Sequence, residues 1–163
     1  FGDCFCRCPS PLLSSVCVIQ LILESSPLTI PDSRCTLEIT RLKSLAGFRR
    51  ESSKDYLFVE GILDTGGYVT VLPKHLAGKL ELETVGHYTL SGVNPRRECA
   101  IPVAVAYSSC ILFDEQGNRS KELRIPCYVS QTEEVPVILG FAGLLSEFEV
   151  CFDRRKQLAY LKE

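Results

Sequence analysis

Apolar and polar residues alternate in short runs along most of this chain, the pattern of half-buried β-strands rather than of helices. Cys35–Leu42 (CTLEITRL) alternates apolar and polar residues, with Leu37 and Ile39 on one side and Leu42 a further candidate for the inside, and predicts a strand. Lys43–Asp55 is charged, holds Gly47 and Ser52–Ser53, and reads as a loop. Further strands are predicted at Tyr56–Leu63, Val69–Leu72, Tyr88–Leu90, Cys99–Tyr107, Cys110–Phe113, Leu123–Val129 and Val135–Leu139, with a final hairpin of Glu149–Phe152 and Leu158–Leu161. Ser91–Arg97 and Glu115–Ser120 read as turns, the latter through its Gly-Asn pair. Only Pro73–Leu80 and Ala142–Ser146 suggest helix, the first with Pro in its opening turn and Leu76, Ala77 and Leu80 at helical spacing. The fold class expected is mostly β, a small closed or nearly closed sheet with one or two short helices.

Phe1 to Pro31 is rich in Ser, Pro and Cys and has no sustained period, so 1–31 is left as an unassigned N-terminal extension and 32–163 as one folded domain. The chain starts at Phe1 and contains no Met, as a fragment would. Val16–Leu23 is apolar for about eight residues, well short of the roughly 20 that span a bilayer. A weak signal-peptide pattern at Pro11–Leu23 has only Arg7 as positive charge before it and no small-x-small site after it, which favours a stray extension or a packed strand. No membrane partner is expected.

Composition narrows the function classes. With 163 residues, 45% hydrophobic and 23% charged, the chain suits one domain with a proper core. A net charge of −2 offers no basic surface for nucleic acid, and Arg154-Arg155-Lys156 reads as a solvated hairpin tip. Nine cysteines occur, none in C-x-x-C spacing, and no histidine pair completes a zinc pattern. Cys4, Cys6 and Cys8 cluster without a fourth ligand nearby, so no metal is expected. Cys99, Cys110, Cys127 and Cys151 fall in strands and read as small buried hydrophobes, which points to a reducing, cytoplasmic setting. His75 and His87 lie in no catalytic pattern, and Glu133-Glu134 reads as solvated loop. Nucleophile-elbow, phosphate-loop, dinucleotide and H-E-x-x-H motifs do not occur.

The candidate chemistry centres on Ile62-Leu63-Asp64-Thr65-Gly66-Gly67, followed by Val69-Thr70-Val71-Leu72. A carboxylate at the end of an apolar strand is costly unless it is hydrogen-bonded, paired or neutralised. The two glycines after it permit close backbone approach and positive φ. About 75 residues later, Val137-Ile138-Leu139-Gly140 repeats the pattern of an apolar strand ending in glycine before a short helix.

Together, Leu63-Asp64-Thr65-Gly66-Gly67-Tyr68-Val69-Thr70-Val71-Leu72-Pro73 and Val137-Ile138-Leu139-Gly140 resemble the retropepsin-like aspartic peptidase superfamily, in particular its small bacterial-type and retroelement members. The likeness runs from about Tyr56 to Leu161. It implies an acid-protease barrel and an aspartic endopeptidase whose catalytic acid is Asp64, with Thr65, Gly66 and Gly67 shaping the loop. It implies substrate contacts from Tyr68, from Gly92, Val93 and Asn94 in a flap at Ser91–Arg97, and from Ile138. With one Asp-Thr-Gly motif per chain, the dyad requires a homodimer; peptide or protein would be the substrate, and neither metal nor cofactor is called for. Gly67 stands where Ala or Ser is usual, Tyr68 where Ser or Asp is usual, and Phe141 where retroviral members carry a bracing Arg. The alternative is a catalytically weak or inactive dimerisation or peptide-binding module on the same fold.

Overall fold

The computed structural model describes residues 17–33, 35–91 and 100–163. Eleven strands dominate it: β1 (Val18–Gln20), β2 (Ile22–Thr29), β3 (Thr36–Arg49), β4 (Tyr56–Leu63), β5 (Thr70–Leu72), β6 (Glu83–Leu90), β7 (Ile101–Phe113), β8 (Leu123–Ser130), β9 (Ile138–Leu139), β10 (Glu149–Asp153) and β11 (Leu158–Lys162). One helical turn, α1 (Lys74–Ala77), and a 3-10 turn at Leu145–Glu147 are the helical parts among the described residues. None of these helices is long and apolar enough to cross a membrane.

Eight strands form one sheet in the order β2-β3-β4-β9-β5-β8-β7-β6, and a further β3–β7 ladder links its two arms. Paired strands therefore run in an unbroken circuit from β3 through β4, β9, β5, β8 and β7 back to β3. Phe48, Leu72, Leu112, Ile125 and Leu139 fill the interior of this circuit and are fully buried. Antiparallel β1, β11 and β10 make a second, three-stranded sheet, which buries Ile19 and Leu161 in the same core.

Several expectations are corrected by pairing between distant segments. Lys43–Asp55 is not all loop: β3 continues to Arg49, bonded to β4 on one edge and to β7 on the other. Gly47 is there for packing, because a Cβ would lie 3.0 Å from both Ile111 and the Phe58 ring. Lys43 is a strand residue paired with Ile22 and Ile62, and its ammonium lies between Glu24 and Glu60 on the flanking strands. The turn itself is confined to the exposed residues 51–55.

Cys99–Tyr107 and Cys110–Phe113 are not two strands. From Ile101 they form the single strand β7, whose first half pairs with β6 and whose last residues pair with β3. Ser108 sits inside it, buried, with its hydroxyl donating to Glu81 O. Tyr88–Leu90 is only the end of β6, whose mostly exposed residues hide the strand pattern. Val135–Leu139 narrows to the two residues of β9, and Ala142–Ser146 is a turn running into the 3-10 segment. The predicted helix at Pro73–Leu80 shortens to α1, although Leu76 and Leu80 face the core as their spacing suggests.

The segment left unassigned contributes β1 and β2, which pair with β11 and β3. Cys4, Cys6 and Cys8 lie outside the described residues. Cys110 and Cys127 are buried free thiols, and burial pushes Cys127 up to about 12 and raises Cys110 as well. Cys151 is half-buried, and Cys99 lies outside the described residues.

Candidate active site

β4 delivers Asp64 at its C-terminal end, and β9 fixes where that end lies. Ile62 N–H donates to Val137 O (2.9 Å) and Asp64 N–H to Leu139 O (3.0 Å), so β9 runs parallel beside β4. On its other side β9 meets β5 through Val71↔Ile138. Two residues from the C-terminal part of the chain thus separate the strands that enter and leave the Asp64 loop.

The loop closes on itself and on the segment after β9. Gly67 N–H donates to Asp64 O (3.1 Å), and Gly66 N–H donates to Asp64 Oδ1 (3.0 Å). Phe141 N–H reaches Gly67 O (2.8 Å) and Ala142 N–H reaches Tyr68 O (2.8 Å). Gly140 N–H donates to the Oγ1 of fully buried Thr70 at 3.3 Å. A Cβ on Gly140 would lie 2.2 Å from Val69 C and 2.3 Å from Val69 O, so no side chain fits there. The sequence pattern of glycine after an apolar run therefore marks a crossing of two backbones.

Gly66 and Gly67 do not use the left-handed backbone that glycine permits; among the described residues, the glycines with positive φ are Gly117 and Gly143. Their part is room for the carboxylate, since a Cβ on Gly67 would come within 3.2 Å of Asp64 Oδ2. The Asp64 side chain itself is exposed and makes no ion pair among the described residues. One oxygen accepts the Gly66 N–H, and the loop leaves the carboxylate free to meet another group.

The other expected site residues divide. Thr65 and Gly66 are exposed beside Asp64, and Ile138 is half-buried in β9. Tyr68 is 84% exposed and Phe141 is 50% exposed, so two aromatics flank the loop without cover. Gly92, Val93 and Asn94, with most of the expected flap, lie outside the described residues. The strands leading to that segment pair up to Leu90↔Ile101.

A cavity of about 360 Å³ opens beside Thr65 and was not signalled by any motif. Leu23, Leu42, Ile62, Leu63, Val150 and Phe152 make it largely apolar, with Thr40, Arg41 and Arg154 at its polar parts. These residues come from β2, β3, β4, β10 and the turn after β10, and only the folded register brings them together. Arg154 is paired with Glu38, so the basic β10–β11 turn is not wholly solvated. His75 is exposed and bonds Glu133 through Nδ1 (2.8 Å) and its backbone N–H (2.7 Å), which gives Glu133 a structural partner. No group of three or more His, Cys, Asp or Glu side chains among the described residues could hold a metal ion.

No family model matches this chain, and no curated protein matches it in sequence. Among solved structures it is similar to a retropepsin-like aspartic protease from Rickettsia conorii, at 20% identity and a TM-score of 0.49, over 88% of this chain and 95% of that one. At that identity the likeness concerns the fold and says nothing of chemistry.

Proposed function

We propose that this protein is an aspartic endopeptidase whose active site is completed when two copies bring their Asp64 side chains together. The observation that carries this reading is the crossing of Gly140 beneath the Asp64 loop. Such tight backbone contact supports an exposed carboxylate at the end of β4. A solvent-facing aspartate that only capped a turn would need no such support.

Two carboxylates a few Å apart do not both ionise, and they share one proton. The ionised member takes a proton from water as that water attacks the peptide carbonyl. The neutral member protonates the carbonyl oxygen. The carboxyl that took the proton from water then gives it to the amine nitrogen, while its twin, now ionised, takes a proton from the diol hydroxyl. The C–N bond breaks, the dyad again holds one proton, and no covalent enzyme intermediate is required. A two-fold axis beside Asp64 is the simplest arrangement that supplies the second carboxylate. Tyr68 and Ile138 would then stand near the substrate backbone, with Thr65, Gly66 and Gly67 holding the loop.

Subunit mixing tests the reading. Asp64→Asn protein titrated into a fixed amount of wild type should reduce peptide cleavage below what the wild-type fraction alone predicts, because each mixed dimer has half a dyad. Activity that persists in pure Asp64→Asn would sink the peptidase reading. A stable dimer without activity in either protein would favour the binding-module alternative.

A further inference from the structure

β4 carries a second exposed feature toward the end away from Asp64. Phe58 is 61% exposed among the described residues. Its ring lies against the bare backbone of Gly47, where a Cβ would come within 3.0 Å of both that ring and Ile111. Gly47 pairs with Phe58 on one side and with Ile111 on the other, so these two share a face. The two-residue period of the strands adds Leu45, Tyr56 and Phe113 to it. The Phe58 ring stands edge-on to Phe113 at 4.9 Å and stacks on Tyr56 at 6.4 Å. Ala46, Phe48 and Leu112 alternate with these residues and are buried in the interior, so the aromatic face is on the outside of the strand circuit. A contiguous apolar face of this kind marks a contact.

The start of the described chain lies beside it. Phe113 bridges Arg119 across the β7–β8 turn, and Arg119 O accepts a hydrogen bond from the Cys17 thiol at 3.1 Å. Residues 1–16 therefore enter the fold next to Phe113. A recess of about 420 Å³ connects the two places, lined by Tyr56 and Ile111 on one side and by Arg119, Ser120, Lys121 and Glu122 on the other. The remaining undescribed residues belong elsewhere. Residue 34 falls between β2 and β3 and residues 92–99 fall between β6 and β7, at the opposite ends of β3 and β7 from this face.

The chain before Cys17 reads Pro11-Leu12-Leu13-Ser14-Ser15-Val16. Leu13 can lie up to about 14 Å from Cys17, at roughly 3.4 Å for each extended residue. No charged residue falls between Cys8 and Cys17. Charges at the rim of the recess are already matched, Arg49 by Glu122 and Lys121 by Glu147 and Glu163. We infer that Leu12 and Leu13 of this chain lie over Phe58, Ile111 and Phe113, making the segment before β1 a strap across the outside of the strand circuit. The strap removes from water the rings that β4 and β7 leave outside, and it braces the strand that carries Asp64 at its far end. It requires neither a second copy nor catalysis at Asp64.

Two measurements on the full chain test the strap. In a sample mixing labelled and unlabelled copies, the Leu12 and Leu13 methyl groups should show nuclear Overhauser contacts to the Phe58 and Phe113 ring protons within one chain. Hydroxyl-radical labelling of Phe58 should rise severalfold in Leu12→Asp/Leu13→Asp, while Phe48 in the core stays protected. Should Phe48 become labelled too, that variant has unfolded and the methyl contacts alone decide. Absence of any methyl-to-ring contact overturns the inference, as does a Phe58 labelled as fast in wild type as in a folded variant. Contacts seen only between different copies also overturn it, because a second molecule would then cover the face. Peptide cleavage and its dependence on Asp64 are untouched by each of these results.

Discussion

Asp64 and Asp114 each follow the last residue of a long strand and open a turn that contains glycine, but their surroundings differ sharply. Asp114 is 6% exposed and accepts N–H groups from Gln20 (3.0 Å), Gln116 (3.0 Å) and Asn118 (2.9 Å), with the Asn118 side-chain amide at 2.8 Å. Burial alone would push its carboxyl up. The donors of Gln20, Asn118 and Gln116 outweigh that and hold it below the usual carboxylate range. Asp64 is exposed and accepts a single N–H from Gly66. Asp114 ties β1 to the β7–β8 turn and has no capacity left for anything else. Asp64 is held in place by backbone bonds around it, and its carboxylate remains available. The difference separates an acid that builds the fold from one that the fold presents.

The widest effect should come at Asp64. Asp64→Asn is expected to lower peptide hydrolysis roughly 10²- to 10⁴-fold, as loss of a positioned acid-base group does. Thermal unfolding should stay within about 0.5 kcal/mol of wild type, as for an exposed side chain. A large loss of stability in that variant would erase the contrast with Asp114.

Gly140→Ala comes next, because the new Cβ would collide with the backbone at Val69 rather than with a movable side chain. A loss of about 3 kcal/mol or more is expected in denaturant unfolding, with the Asp64 loop displaced. Ordinary stability in this variant would mean that the crossing is looser than the structure has it.

Asp114→Ala should cost about 1–3 kcal/mol, since it leaves buried donors unsatisfied. Its effect carries a pH signature. A carboxyl held below its unfolded value near 3.9 contributes fully above that value and loses its contribution as pH falls through the lower folded one. Wild type and Asp114→Ala should therefore differ most in stability near neutral pH and converge in strong acid. Equal acid sensitivity of the two proteins would remove Asp114 from the account.

Tyr68→Ala should be the mildest change, within about 0.5 kcal/mol in stability because the side chain is exposed. A change in KM without a change in unfolding would sharpen the view of Tyr68 as a substrate contact. No change in either would remove it from the site.

The Asp64 loop and the apolar run to Gly140 were legible in the sequence because each is a local pattern with fixed neighbours. Tyr56–Leu63 was legible to the residue, because its apolar run is bounded by the charged turn before it and the Asp-Thr-Gly turn after it. Lys43–Arg49 misled because Lys43, Ser44 and Gly47 have loop-like chemistry. Lys43 is a strand residue because β2 and β4 pair it on either side, Ser44 because β4 pairs it, and Gly47 because β4 and the distant β7 pair it on both edges. The cavity beside Thr65 could not be read either, since it depends on where β2, β3 and β4 stop relative to one another. Asp114 carried no signal beyond a turn, and its importance lies in the distant Gln20 N–H.

The insertion of β9 between β4 and β5 has a consequence for timing during synthesis. Residues 56–72 leave the ribosome well before Ile138–Leu139, so the turn holding Asp64 lacks its supporting strand until that later segment has been made. An unfinished chain would carry Asp64 in an untethered turn, and the loop would take its folded shape only once Ile138–Gly140 threads into place.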